Sequence, residues 1–257
     1  MAMNQSQEAA AKTLALSFYR DVIGDLNEAM IDSLIAEDYI QHNPMVKTGR
    51  AGFMEAFAYL KQMPRPENPK SPIVRTIAEG NLVALHLQVE IAGSQQVVLD
   101  LFRVEDGKLA EHWDVMQMHP RETSNGRGMT DGVVAIEDLD KTAPNKALVQ
   151  QFYQSIWLDG NWAQLADFVH EAVMQHHHGL ADGLPALATA QHGPTQIDTV
   201  HRLVAEGNFV VAQLEGTIDG TPHAIYEIHR LADGLIVEQW TVQQAIPDQM
   251  AHGNGMF

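Results

Sequence analysis

Apolar residues recur every fourth position near the start of the chain. Leu14, Phe18 and Val22 form this series, and their spacing predicts one face of an amphipathic helix. The other elements predicted before residue 61 are a short helix over Glu28–Ala36, a brief strand through Tyr39–His42 and a helix over Ala51–Leu60 opened by Gly49-Arg50. This part of the chain is therefore predicted to be mainly helical.

The apolar period changes to two after a loop marked by Pro64, Pro66 and Pro69. Strict alternation of apolar and polar residues is typical of half-buried strands. The predicted strands are Ile73–Glu79, the alternating run from Val83 to Ile91, Gln96–Glu105 and Lys108–Gln117, with a hairpin turn at Asp106-Gly107. Helices followed by a meander of strands predict an α+β domain with an antiparallel sheet.

The whole pattern occurs twice. Phe18-Tyr19 recurs as Phe152-Tyr153, an offset of 134 residues. The run 78–81, Ala-Glu-Gly-Asn, recurs at 205–208, an offset of 127 residues that also carries Trp113 to Trp240. A repeat this long indicates a duplicated domain rather than a solenoid. We therefore predict two domains, 1–128 and 144–257, joined by a linker over 129–143. The four repeated aromatic residues are predicted to be core packing.

Composition narrows the functional classes. The 257 residues carry a formal charge of −17, with 45% hydrophobic residues and no cysteine. Absence of cysteine excludes disulfides, thiolate catalysis and zinc–thiolate sites, and the negative charge argues against nucleic acid and anionic membranes as partners. No apolar run is long enough to span a membrane, and the N-terminus lacks the pattern of a signal peptide. We expect a cytoplasmic protein.

Candidate chemistry lies in the last predicted strand of the first copy. The alternation of Lys108–Gln117 places His112 and Asp114 on one face and Trp113 on the other. A carboxylate next to an imidazole on an apolar surface suits acid–base chemistry. Asp100 lies on the preceding strand, and a second carboxylate there would raise the pKa of one of the pair.

These stretches resemble the SnoaL-like polyketide cyclases of the nuclear transport factor 2-like superfamily. The resemblance rests on residues 38–44, Asp-Tyr-Ile-Gln-His-Asn-Pro, on Gly49-Arg50, and on residues 100–108 followed by Glu111-His112-Trp113-Asp114. It implies two tandem cone-shaped α+β barrels with curved sheets, each with a pocket. It also implies dimers packed through their sheets, which here would form a pseudo-dimer within one chain, with further homo-oligomerisation open.

The resemblance also implies roles for individual residues. His112-x-Asp114 matches the acid–base aspartate of these cyclases, which lies two residues after a histidine. A histidine often stands in the family where this chain has Asp100. His42-Asn43 falls at the pocket mouth, where we expect His42 rather than Asn43 to point inward. The predicted site residues are catalytic Asp114, His112 and Asp100, and substrate-binding His42, Asn43, Trp113, His176 and Glu227.

The second copy repeats the predicted elements of the first but not its candidate catalytic residues. At the offset of 127 residues, Asp100 becomes Glu227, His112 becomes Gln239 and Asp114 becomes Thr241. Neither glutamine nor threonine can act as a proton shuttle at neutral pH. We therefore expect chemistry only in the first copy. The run 176–178 of three histidines matches no metal-binding spacing, and neither a metal nor a cofactor is predicted.

Two functions remain open at this point. The first is a cofactor-independent enzyme that removes a proton alpha to a carbonyl in a small, mostly apolar compound, which leads to aldol-type cyclisation or isomerisation. The alternative is a non-catalytic protein that binds a small molecule in the same pocket. An epoxide hydrolase ranks third, because Asp100, Arg103 and Asp114 supply the residue types, although Arg103 falls on the opposite face of its strand from Asp100.

Overall fold

A computed structural model describes residues 2–64, 70–91 and 93–257 of the chain. Pro66 and Pro69 of the predicted loop lie outside these residues. None of the helices in the described parts of the chain could span a lipid bilayer.

In each half, helices and one strand precede the meander of the other four strands, as the periodicity predicts. The α-helices are α1 Ala2–Ser17, α2 Ile31–Leu34, α3 Gly49–Leu60, α4 Thr142–Phe152 and α5 Leu184–Ala188. Single π-helical segments extend α1 and α4 over Phe18–Gly24 and Tyr153–Leu158, and short 3-10 segments cover Glu28–Met30, Leu139–Lys141, Trp162–Asp167 and Thr189–His192. The second predicted helix, Glu28–Ala36, ends earlier than expected, because Ile35 and Ala36 already belong to a strand.

Ten strands form two sheets of the same design. The strands are β1 Ile35–Gln41, β2 Ile73–Glu79, β3 Leu82–Ile91, β4 Ser94–Glu105, β5 Lys108–Met118, β6 Val169–His176, β7 Thr195–Glu206, β8 Phe209–Ile218, β9 Thr221–Ala232 and β10 Leu235–Ala245. The first sheet has the order β1-β5-β4-β3-β2 and the second β6-β10-β9-β8-β7. The α+β class and the internal repeat are thus confirmed.

The sheets are mixed rather than wholly antiparallel. Strand β1 pairs in parallel with β5, placing Gln41 opposite His112, and β6 pairs in parallel with β10 in the same way. The other pairings that the structure resolves are antiparallel. Asp106 and Gly107 both have positive φ, 49° and 72°, which the predicted two-residue hairpin turn requires.

The chain forms two compact units whose ends are exchanged. The N-terminal unit comprises the chain up to Asp114 together with Pro247–Phe257, and the C-terminal unit is Val115–Ile246. These units do not coincide with the predicted domains 1–128 and 144–257. The segment that follows the last strand of each sheet belongs to the other unit.

Hydrogen bonds fix each exchanged segment. In the C-terminal unit, Asn125 Nδ2 donates to the carbonyl of Gln175 over 2.7 Å. In the N-terminal unit, Asn254 Nδ2 donates to the carbonyl of Gln41 over 2.9 Å. Each segment also buries one methionine, Met129 in the first and Met256 in the second. One asparagine and one methionine therefore attach each exchanged segment to its unit.

Aromatic side chains from the helices and the sheet form the core of the N-terminal unit. Phe18 lies 5.5 Å from Phe53 and 5.6 Å from Phe102 between ring centroids, and Tyr39 packs edge-on against Phe53. The predicted packing role of Phe18 is confirmed. This core backs the face of the sheet that carries His112, because Phe102 stacks on the His112 ring at 4.6 Å.

We expect Gly132→Ala to destabilise the protein by on the order of 3 kcal/mol, because it combines backbone strain with overpacking. Gly132 has φ 91°, and an added Cβ would lie 2.9 Å from His176 Nε2 and closer still to Glu238 Oε1. Gly220→Ala is the matched control, since Gly220 has φ 75° but nothing within 4 Å of such a Cβ. It should lose only about 1 kcal/mol. Urea unfolding of both variants measures the difference, and equal losses would contradict the crowding of the Gly132 segment.

Candidate functional site

Adjacent strands bring three predicted catalytic side chains together in the N-terminal unit. His112 and Asp114 lie on β5 and Asp100 on the neighbouring strand β4. His112 Nε2 lies 3.5 Å from Asp100 Oδ1, and one nitrogen or oxygen atom from each of the three residues lies within 4.8 Å of the others. The strand alternation predicted this cluster correctly. We call it the Asp–His–Asp trio.

Each member of the trio is held by one further polar residue. The Tyr19 hydroxyl donates a hydrogen bond to Asp100 Oδ2. Asn43 Nδ2 donates to Asp114 Oδ2 over 2.7 Å. These bonds occupy Oδ2 of each carboxylate, and the other oxygen of Asp100, Oδ1, lies next to His112 Nε2.

Gln41 determines that the Nδ1 atom of the His112 ring carries a hydrogen. Gln41 Oε1 accepts from the backbone N–H groups of His42 at 2.9 Å and Asn43 at 2.8 Å. Two backbone donors identify this atom as the oxygen of the amide. The third contact of the same oxygen, to His112 Nδ1 at 2.9 Å, is therefore a donation from Nδ1–H. The other ring nitrogen of His112, Nε2, is the one that lies next to Asp100.

Burial and charge together shift the pKa values of the trio. Burial raises the pKa of Asp114 to about 6, with the charge of Asp100 adding to the effect, while His112 and the hydrogen bond from Asn43 oppose it. Burial works against protonation of His112, but the charges of Asp100 and Asp114 outweigh it and raise the pKa of the imidazole. Asp114 is thus poised to exchange a proton near neutral pH.

One oxygen of Asp114 has no hydrogen-bond partner among the described residues. Oδ1 of Asp114 is buried without a hydrogen-bond partner, and His112 Nε2, also buried, has only the 3.5 Å contact with Asp100 Oδ1. Asp114 as a whole is only 5% exposed. A buried polar atom without a partner is uncommon in native structures and calls for an explanation. Here both atoms belong to the same cluster, as expected of groups that exchange a proton with a ligand.

Sequence reasoning did not assign Tyr19 or Gln41 to the site. The Asn43 side chain contacts Asp114, whereas the His42 side chain, which was expected to point inward, binds Glu111, and only the backbone N–H of His42 contacts the trio, at the carbonyl of His112. Tyr19 was interpreted as core packing, yet its hydroxyl reaches Asp100. A signal was available for Tyr19, since Phe-Tyr is repeated in both halves and a buried tyrosine hydroxyl normally finds a polar partner.

His42 belongs to a second cluster on the other side of the sheet. Its Nε2 binds Glu111 Oε1 at 2.9 Å, and its ring stacks on Trp113 at 5.0 Å between centroids. Arg103 Nε donates to the other oxygen of Glu111 over 2.7 Å. The substrate-binding roles of His42 and Trp113 remain predictions. Arg103 is engaged with Glu111, so this arrangement lends no support to the hydrolase hypothesis.

The C-terminal unit holds Glu227 in a closed network. Glu227 Oε2 accepts from the Tyr153 hydroxyl at 2.6 Å, and Oε1 accepts from Thr241 Oγ1 at 3.1 Å. Burial raises the pKa of Glu227. His229, which stands where the first copy has Phe102, is also buried, and this lowers its pKa to about 3. Both oxygens of Glu227 are occupied, unlike those of Asp114. Tyr153, like Tyr19, is more than core packing.

His176 repeats the contacts of His42 rather than entering a site with Glu227. Its Nε2 binds Glu238 at 2.9 Å, and its ring stacks on Trp240 at 4.9 Å. Within the described residues, the run of three histidines does not form a group of metal ligands; the Asp–His–Asp trio is the group with suitable spacing. Two carboxylates and an imidazole could hold a divalent ion. The cofactor-free site remains a prediction.

A groove of about 500 Å³ lies elsewhere, on the surface of the C-terminal unit. Residues including Val169, Glu171 and Leu184 line it. None of the predicted site residues does so. The groove is therefore separate from the candidate chemistry.

Comparisons with known proteins bear on the first copy above all. The model of the SnoaL-like domain family matches residues 16–112. No curated protein matches the chain by sequence. A solved nuclear transport factor 2-like protein of unknown function from Mesorhizobium loti is 15% identical, with a TM-score of 0.37, over 44% of this chain and 100% of that chain.

Two further solved structures are described by activity. A SnoaL-like polyketide cyclase from Agrobacterium tumefaciens is 13% identical, with a TM-score of 0.33, over 39% of this chain and 91% of that chain. An epoxide hydrolase from Mycobacterium tuberculosis, described as LEH-like, is 15% identical, with a TM-score of 0.35, over 40% of this chain and 85% of that chain. Residues 16–112 thus match the model of the SnoaL-like domain family, and the two sheets of the chain share one strand order, which is consistent with two tandem copies of one domain.

Proposed function

We propose that the N-terminal unit is a cofactor-independent acid–base enzyme that acts on a small, mostly apolar carbonyl compound. The observation that carries this proposal is the buried, unpaired Oδ1 of Asp114. The match of residues 16–112 to the model of the SnoaL-like domain family supports the same class of chemistry. An isomerase or an aldol-type cyclase fits these features.

In the proposed reaction, Asp114 Oδ1 takes a proton from the carbon next to the carbonyl group. The electron pair of the broken C–H bond moves to the carbonyl oxygen and forms an enolate. Protonated His112 donates Nε2–H to that oxygen, where negative charge develops. Asn43 holds the other oxygen of Asp114, so the base keeps its orientation throughout.

Two outcomes return the enzyme to its starting state. In a cyclisation, the enolate carbon attacks a second carbonyl of the same molecule, a C–C bond forms, and the new alkoxide takes the proton from Asp114. In an isomerisation, Asp114 returns the proton to a different carbon of the enolate system. Both routes balance without an oxidant or reductant. Asp100, fixed by Tyr19, stabilises the positive charge on His112.

Asp114→Asn should reduce turnover of an accepted substrate by at least about a thousandfold, because an amide cannot take the proton. Glu227→Gln is the matched control in the C-terminal unit, where Tyr153 and Thr241 already occupy both carboxylate oxygens. It should keep most of the activity. Steady-state kinetics on a panel of enolisable ketones and diketones measures both variants. If Glu227→Gln abolished turnover and Asp114→Asn did not, the chemistry would lie in the C-terminal unit and the proposal would be wrong. Binding of panel compounds without turnover would favour a ligand-binding protein.

The activity should depend on pH in a bell-shaped manner. kcat/KM is expected to rise with pH through about 6, as Asp114 loses its proton and becomes a base. It should fall at higher pH, when His112 loses the proton that it donates; the pKa of His112 lies above its ordinary value of 6.5. Rates measured between pH 4.5 and 9 provide the test. In His112→Gln the alkaline limb should disappear, and a profile unchanged by that substitution would contradict the role of His112.

Removing the charge of Asp114 should stabilise the fold. Because the folded-state pKa is raised from 3.8 to about 6, the unfolded chain ionises more easily, and stability falls as pH rises between these values. Asp114→Asn should therefore raise the free energy of unfolding by on the order of 2 kcal/mol above pH 6. The gain should shrink as the pH falls towards 4. Urea titrations at pH 5 and pH 8 measure it, and a loss of stability at pH 8 would show that Asp114 is a structural anchor.

A further inference from the structure

The end of strand β1 is covered by the terminal segment Ala251–Phe257. Strand β1 is at the edge of its sheet, with β5 on one side. On its free side, the backbone N–H of Ala251 donates to the carbonyl of Pro44 at 2.8 Å, and Asn254 Nδ2 donates to the carbonyl of Gln41 and to Thr48 Oγ1.

Two further contacts complete the attachment. His252 Nε2 donates to the carbonyl of Asn43 over 2.9 Å, and His42 Nδ1 donates to the carbonyl of Gly255 over 2.9 Å. Met256 is 2% exposed, so the segment is anchored by an apolar side chain as well. All of these groups belong to the N-terminal unit.

The residues that the segment binds are those that orient the trio. Gln41 and Asn43 offer their carbonyls to Asn254 and His252, while their side chains hold His112 and Asp114. We propose that Ala251–Phe257 is a positioning segment for the N-terminal site, which fixes the strand end Gln41–Asn43 so that Gln41 and Asn43 hold His112 and Asp114 in their reactive orientation. The catalytic consequence rests on the proposed function, whereas the effect on the orientation of His112 does not.

A physical reason connects the segment to the site. An uncovered strand edge carries unpaired backbone groups and readily frays. Fraying at Gln41 would withdraw the acceptor from His112 Nδ1, and the imidazole would lose the bond that fixes its tautomer. Displacements of about 1 Å in a catalytic group are enough to reduce rates strongly.

The C-terminal unit supplies a matched control. Asn125 Nδ2 donates to the carbonyl of Gln175 and to Asp182 Oδ1, just as Asn254 does with Gln41 and Thr48. His176 Nδ1 donates to the carbonyl of Gly128 over 2.8 Å, as His42 does to Gly255. Asn125→Ala and Asn254→Ala therefore remove equivalent bonds from two equivalent strand ends, and only the second strand end supports the Asp–His–Asp trio.

The test is an NMR titration of the His112 ring in the full-length protein, with its signal assigned by its loss in His112→Gln. The ionisable groups facing the ring are Asp100, Asp114 and Tyr39, whose ring stacks on it at 6.5 Å between centroids, and the Tyr19 hydroxyl lies behind Asp100; Gln41 is uncharged. In Asn254→Ala the midpoint of His112 should fall by roughly half a unit to one unit, because the bond from the charged ring to Gln41 is weakened. Asn125→Ala should leave the midpoint unchanged.

A second pair of variants separates positioning from general loss of stability. His252→Ala removes the donor to Asn43 and should change the His112 signal, whereas His252→Gln keeps a side-chain N–H at similar reach and should restore it. An unchanged His112 titration in both Asn254→Ala and His252→Ala would overturn the proposal. So would an equal shift in Asn125→Ala. The measurement needs no substrate, so a failure of the proposed enzymatic function would leave its result intact.

Discussion

The parallel pairing of β1 with β5 is the constraint on which both side-chain clusters of the N-terminal unit depend. It places Gln41 opposite His112, and the N–H of His42 continues the pairing by donating to the carbonyl of His112. Successive residues at the strand end therefore serve opposite faces of the sheet. Gln41 and Asn43 reach the trio on one face, and His42 reaches Glu111 on the other.

The two copies handle buried charge in different ways. In the C-terminal unit, Tyr153 and Thr241 satisfy both oxygens of Glu227, which is the usual solution for a buried carboxylate. In the N-terminal unit, Asp114 keeps an unpaired oxygen next to a second carboxylate. Such an arrangement is unfavourable for folding and is typical of sites whose groups act on a ligand. The same fold thus holds one buried carboxylate that lacks a hydrogen-bond partner for one oxygen and another whose two oxygens are both bonded.

Local patterns predicted most of the fold and the centre of the site. The alternation along β5 was enough to place His112 beside Asp114, and the change of period located the strands. The contact of Tyr19 with Asp100 was not predicted, because it depends on which face of the helix packs against β4, and this is a property of the tertiary structure. His42 was preferred over Asn43 because it recurs as His176 in the second copy, but what the two histidines share is a bond to a glutamate, Glu111 or Glu238. The exchanged tails could not be predicted at all, since no local pattern records which strand edge a distant segment covers.

The exchanged tails have a consequence for how the protein is made. The bond between His42 and Gly255 joins residues 213 positions apart, and the whole C-terminal unit lies between them in the sequence. Contacts over such separations form late, because the intervening chain must be ordered first. During synthesis the N-terminal unit emerges first, but its strand end stays uncovered until the second unit has been translated. The maturation of the first site is thereby coupled to the completion of the second unit.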